Sequence, residues 1–416
     1  MGGVSDRAID GGQPPIPAIS TAEDEDAQLT LTAKETTSTG KQHFDVLDGL
    51  RGSAALCVVL FHIHAIAVGW QPQRQILQHG YLAVDFFFLL SGFVIGYAYD
   101  DCWNRLSTGG FFLSRLIRLH PLAVLGTLLG FAGYLFDPFA GGSQHSPAGV
   151  LAIALTLGLL LLPNPPRLAG RWSDTHPLNG PAWTLLQEYI ANIAYALVLR
   201  RLSTPAIGGL AVFFGIVLAI SASLQGTLDL GADWQSLWIA PIRLAFPFLT
   251  GLLIYRLRRR LPRIEIGYLP LSLVLFAVFL TPTLSVAGLF KANGLFSAFC
   301  VIAVFPLVVI AGAHSNAGRI MAVLCRASGR LSYPLYITHF PFVYIWSNYL
   351  TAARPAIGVA IGVGMALFLF TLAVAWAAYT LWDVPIRKWL SALRAPRRTA
   401  ESYAAAHGVI KSAPPS

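Results

Sequence analysis

Charge is what this chain has little of. Only 12% of its 416 residues are Asp, Glu, Lys or Arg, against 55% hydrophobic and a mean hydropathy of +0.61. A soluble globular chain carries about 25% charged residues, so a body surrounded by water is excluded. The short segments of alternating polarity that mark a transmembrane β-barrel are missing too. No GxxxxGK[ST], GxSxG or HExxH occurs, which disfavours ATP coupling, soluble-hydrolase chemistry and a zinc helix. The four cysteines (Cys57, Cys102, Cys300, Cys325) are scattered, with neither metal spacing nor a disulfide framework. No metal is expected. The N-terminus lacks the basic start and apolar core of a signal peptide. Neither a repeat of fixed period nor the inverted repeat of a secondary transporter is visible.

Long apolar runs are what the chain does have. Eleven fall at about 53–70, 80–99, 120–136, 149–162, 183–199, 205–223, 236–256, 266–283, 294–313, 331–350 and 356–382. Several reach the ~20 residues a helix needs to cross a bilayer, so the expected fold is an all-α integral membrane bundle. Arginines cluster between the runs: Arg105, Arg115 and Arg118; Arg200 and Arg201; Arg256 to Arg263; Arg319, Arg326 and Arg330; Arg387 to Arg398. Lys and Arg collect in cytoplasmic loops, which accounts for the net charge of +9 without nucleic acid. Placing every cluster on that side requires the short 149–162 run not to span. The expectation is therefore about ten transmembrane helices, a non-spanning apolar segment near 149–162, and both termini cytoplasmic. Residues 1–43 and 391–416 read as disordered tails around a domain at 44–390.

Ionisable residues inside spans are rare and usually functional. Arg51 and His62 are eleven residues apart, about three helical turns plus 20°, so they share a face roughly 16 Å apart along the axis. Asp48 lies on that face as well. A membrane-anchoring arginine and a packed histidine would be the bland alternative. In YLAVDFFFLLSGFVIG (81–96), Asp85 stands near a helix start, and Ser91 and Gly92 permit close helix approach. RLIRLHP (115–121) carries Arg115 and Arg118 at i and i+3, a fork suited to phosphate oxygens or simply two more positive-inside residues. In NGPAWTLLQEYIANIAYAL (179–197), Trp183 suits an interface anchor, whereas Glu188 needs a partner or a substrate, Arg243 being a candidate partner. His339 sits in mid-run within LSYPLYITHFPFVY (331–344).

These motifs, in this order, resemble the acyltransferase-3 family of integral-membrane acyltransferases. The resemblance rests on LDGLRGSAALCVVLFH with its Arg–x10–His spacing, GYLAVDFFFLLSGF, RLIRLHPL, NGPAWTLLQEYI and LSYPLYITHFP, spread over about 44–390. Thr184 stands where the family usually has Ser, a change that keeps a hydroxyl. The resemblance implies transfer of an acyl group, commonly acetyl, from acyl-CoA to a sugar hydroxyl of a cell-surface or secreted glycan or glycolipid. It implies catalytic roles for His62 (general base or acyl carrier), Arg51 and Asp85. Arg115, Arg118 and Ser91 would bind acyl-CoA; Glu188, Trp183, Arg243 and His339 would bind the acceptor. Membrane lipids, acyl-CoA and the carbohydrate acceptor are the expected partners, in a bacterial inner membrane. A proton-coupled transporter or flippase is the rival reading, distinguished by substrate movement without an acylated product.

Overall fold

The computed structural model describes residues 43–103, 106–141, 146–165, 168–171, 174–283 and 292–394. Most of both expected tails, with Arg105, Arg397 and Arg398, lies outside them. The last described helix runs through Arg394, so helix continues past the expected start of the C-terminal tail at 391.

All eleven apolar runs are helical. The helices are α1 (Asp45–Ala67), α2 (Ala83–Ile95), α3 (Thr108–Phe136), α4 (Ala148–Leu159), α5 (Ala182–Leu197), α6 (Thr204–Gln225) and α7 (Ala240–Leu257). They continue with α8 (Tyr268–Leu280), α9 (Ala292–Phe299), α10 (Phe305–His314), α11 (Arg319–Thr338), α12 (Phe340–Ala353), α13 (Ile357–Ala377) and α14 (Val384–Arg394). Wider π-helical turns extend α2 and join α9 to α10 and α13 to α14. Among the described residues the only β-type pairing outside helices is an isolated bridge between Asp174 and Asp233.

Seven helical stretches among the described residues are long and apolar enough to cross a bilayer. Ten were expected. The shortfall lies in α5 and α8, with 16 and 13 residues, and in the 331–350 run, which is split between α11 and α12. The 149–162 run forms α4, whose 12 residues extend about 18 Å, short of a ~30 Å hydrocarbon layer.

Two crossings hold the site together, and both depend on small residues. Where α1 meets α11, a Cβ on Gly52 would strike Ser328, and one on Gly329 would strike Asp48. Where α2 meets α7, a Cβ on Gly92 would strike the Phe248 carbonyl, and one on Gly251 the Leu89 carbonyl. Backbones this close replace the driving force that water would otherwise supply, because lipid is as apolar as the helix faces. The outward faces are correspondingly apolar and exposed: Phe213, Ile216 and Ile220 on α6, and Ile357, Ile361 and Leu369 on α13.

Candidate active site

The site residues expected from the sequence sort into three groups. The first lines a cavity of about 320 Å³ at the arginine-rich end of α1, α3 and α11. Five arginines line it (Arg51, Arg115, Arg118, Arg330 and Arg387) against two acidic residues, Glu188 and Asp383. Arg51 is tied down by Asp48 at 2.7 Å, the Gly329 carbonyl at 3.0 Å and the Ser332 hydroxyl at 3.0 Å, which fixes α1 to α11. Arg115 donates to Glu188 Oε1 at 2.5 Å, and Ser91 donates to the same oxygen at 3.4 Å. Arg387 pairs with Asp383 at 3.0 Å. Arg118 and Arg330 have no ion-pair partner among the described residues, and Arg115 Nε is buried without a hydrogen bond. Unmatched positive charge of this kind suits a ligand with several phosphate oxygens.

Away from the arginines the cavity becomes apolar, lined by Val84, Phe87, Phe88 and Tyr336. Thr184 spends its only hydroxyl proton on the Pro181 carbonyl at 2.8 Å, so Tyr336 donates to Thr184 Oγ1 at 3.0 Å. The hydroxyl kept by Thr184 therefore orients Tyr336, whose ring also meets Phe87 edge-on at 5.4 Å.

The second group begins one ring further on. His339 lies 6.2 Å from Tyr336 between ring centres, and its Nε2 is 3.0 Å from His62 Nδ1. The two imidazoles meet edge to edge, their centres 5.1 Å apart and their planes inclined by 23°. His62 is half-buried and His339 fully buried. The sequence explains the joint at His339. Pro341 has no N–H, so it cannot donate to the Ile337 carbonyl four residues back; the Asn179 side chain does so instead, at 2.9 Å. The helix breaks there, and His339 becomes the residue between α11 and α12. Trp70, at φ 56°, closes over His62 edge-on at 6.2 Å.

The third group is sealed. Arg243 Nε and Nη2 grip the two oxygens of Asp85 at 3.1 and 2.5 Å, and the same guanidinium donates to the Leu230 and Tyr81 carbonyls. Its carbon lies 5.6 Å from the centre of the Trp183 ring. Asp85 is 0% exposed and Arg243 1%.

A family model described as an acyltransferase domain matches residues 44–380. The chain belongs to the acyltransferase-3 family. It is similar to "Protein 2 in picA locus" of Rhizobium radiobacter, 39% identical over 171 residues, covering 37% of this chain and 82% of that protein. It is also similar to "Acyltransferase MdmB" of Streptomyces mycarofaciens, 28% identical over 321 residues, covering 71% and 77%. No solved structure matches significantly.

The acyltransferase brings together several of the residues expected from its sequence and separates others. Arg51, Arg115, Arg118 and Ser91 meet in one cavity, and Glu188 joins them there. The Glu188–Arg243 pairing suggested by the sequence does not form. Glu188 pairs with Arg115 and Arg243 with Asp85, because α5 presents Glu188 to the cavity while α2 and α7 close over Asp85. Asp85, Arg243 and Trp183 thus sit outside the cavity lining, a polar pin through the bundle. His339 meets His62 directly. The sequence reading missed the contribution of Arg330, Arg387 and Asp383 to the cavity. Asp383 and Arg387, at i and i+4 in a helical run, were the available signal.

Proposed function

We propose that this acyltransferase moves an acyl group, such as acetyl, from acyl-CoA to a sugar hydroxyl of a cell-surface or secreted glycan or glycolipid. One observation carries the reading: a cavity lined by five arginines has an aromatic side, and its Tyr336 ring lies 6.2 Å from His339 of the histidine pair. The guanidinium groups would hold the phosphates of CoA at the cytoplasmic side of a bacterial inner membrane, where positively charged termini and loops collect. Arg118 and Arg330, without an ion-pair partner among the described residues, are the cations available for this; Arg51 and Arg115 are braced and would position rather than search. The pantetheine arm would follow the apolar lining past Phe87 and Tyr336 toward His62.

His62 then serves as general base. Its Nε2 takes the proton of the acceptor hydroxyl as that oxygen attacks the thioester carbonyl. The tetrahedral intermediate collapses, the carbon–sulfur bond breaks, and the thiolate leaves as CoA thiol with the proton held by His62. One ester forms and one thioester is consumed, with no other co-reactant. The test is His62→Ala in membranes supplied with radiolabelled acetyl-CoA, with glycan-bound label as the readout. Label incorporation should fall by about 10²-fold or more, the usual contribution of a general base; full incorporation would sink the reading. Transport of an unmodified glycolipid with no acylated product would sink it too.

A further inference from the structure

The hydrogen bonds around His339 determine where its protons are. Its Nδ1 faces two backbone carbonyls, Leu335 at 3.1 Å and Tyr336 at 2.8 Å. A carbonyl oxygen only accepts, so Nδ1 carries a proton and donates it. The His339 ring is fully buried, and no carboxylate contacts it among the described residues. A buried imidazole without a counter-charge is neutral, and its other nitrogen, Nε2, is then a lone pair. His62 Nδ1 lies 3.0 Å from that lone pair. Two lone pairs cannot bond, so His62 Nδ1 carries the proton. The neutral His62 ring is left with a bare Nε2, for which no hydrogen-bond partner exists among the described residues.

We infer that His339 is a positioning residue that sets the tautomer of His62, so that the His62 Nε2 lone pair faces the reacting groups. The inference rests on the base role proposed above, and it moves His339 from acceptor binding to support of the base. The relay starts at Pro341. The break it imposes makes His339 the joint between two helices, with its ring turned back onto the last carbonyls of α11. The nearly in-plane hydrogen bond, with the rings inclined by only 23°, lets His339 hold the His62 ring as well as select its protonation. When His62 becomes imidazolium during the reaction, the same Nδ1–H bond to His339 persists, so the support is not lost at the step that needs it.

The test combines a spectroscopic and a kinetic readout on the full chain in nanodiscs. In 15N-histidine solid-state spectra, with His62 assigned by difference against His62→Ala, the wild type should show His62 protonated at Nδ1 and bare at Nε2. His339→Leu should shift protonation toward Nε2. It should also lower kcat by about 10- to 100-fold, a fraction of the full general-base contribution, with KM for acetyl-CoA within two-fold of wild type. His339→Gln, whose amide oxygen can accept from His62 Nδ1, should recover most of the lost kcat and keep His62 protonated at Nδ1. A wild-type spectrum with His62 bare at Nδ1 overturns the inference, as does a His339→Leu enzyme with unchanged kcat and tautomer. Should His339→Leu merely misfold, the wild-type spectrum and the His339→Gln variant still decide it. The base role fails separately: an active His62→Ala enzyme removes it whatever the wild-type tautomer is.

Discussion

The Arg115–Glu188 pair makes the arginine cavity testable by a mutant cycle. Arg118→Ala removes one free guanidinium. A hydrogen bond to a charged group contributes about 1.5–3 kcal/mol, so KM for acetyl-CoA should rise ~10- to 150-fold with kcat retained. Arg115→Ala removes a guanidinium too, but it also strips Glu188 of the partner now 2.5 Å away. The bare carboxylate then faces the phosphates. At about 6 Å and an effective dielectric constant near 20 the repulsion is roughly 3 kcal/mol. Arg115→Ala should therefore weaken donor binding ~100-fold beyond Arg118→Ala. Glu188→Gln in the Arg115→Ala background should recover most of that difference, because the amide leaves the phosphates unopposed. The assay is steady-state acetyl transfer in nanodiscs with acetyl-CoA varied, together with thermal unfolding of each variant to exclude a folding defect. Equal effects of Arg115→Ala and Arg118→Ala, with no rescue by Glu188→Gln, would refute the assignment of this cavity to an anionic donor.

Three further outcomes follow from the packing and from a carboxyl outside the long helices. Asp85→Asn leaves Arg243 buried with a neutral partner; breaking such a pair costs about 3–5 kcal/mol, so thermal unfolding in detergent should move sharply down, and an unchanged midpoint would deny the pin. Gly92→Ala drives a methyl into the Phe248 carbonyl and should cost about 1–3 kcal/mol by the same measurement, whereas Gly358→Ala, where a Cβ meets nothing, should be neutral or stabilising. The Asp174 carboxyl is pushed up from 3.8 to about 6, chiefly by burial and further by Asp233, against the hydrogen bond from Tyr344 and the charge of Arg171. Its folded form binds the proton more tightly than the unfolded chain does, so stability falls as pH rises through about 4 to 6. The wild-type midpoint should then be higher at pH 5 than at pH 7, and Asp174→Asn should flatten that difference; an unaltered pH profile in the variant would refute it.

The apolar runs were legible because a bilayer tolerates little else, and every one of them is helix. The Arg51–His62 spacing was legible because α1 is continuous from Asp45 to Ala67, so helical geometry carries over directly. Pairing was not legible. Glu188 had five or more arginines available in the sequence, and the choice of Arg115 depends on which face of α5 meets α3, which is a property of helix rotation. The break at His339 left a signal in Pro341, two residues on, but a proline in a membrane run does not by itself say that the chain splits rather than bends. The cavity was the least legible element, since Arg51, Arg115, Glu188, Arg330 and Arg387 come from five separate helices.

Mid-membrane polarity alone is therefore a poor guide to chemistry; what distinguishes the residues is whether their hydrogen-bonding capacity is used up. Asp85 and Arg243 are almost completely buried, yet both carboxylate oxygens are taken and neither side chain reaches the cavity. Among the described residues Arg118 has no ion-pair partner, Arg115 Nε has no hydrogen bond, and only Oε1 of Glu188 and one ring nitrogen of His62 are bonded. Leaving a buried polar group unpaired costs free energy, as at Arg115 Nε, whereas the exposed Arg118 keeps its charge available. Arg118, Arg115 and Glu188 line the cavity, and His62 bonds to His339, whose ring centre lies 6.2 Å from that of the cavity residue Tyr336. In the proposed reaction an anionic donor would satisfy the arginines, and an acceptor hydroxyl would satisfy the histidine. On that reading the unsatisfied atoms outline the two substrates, while the satisfied ones hold the helices that bring them together.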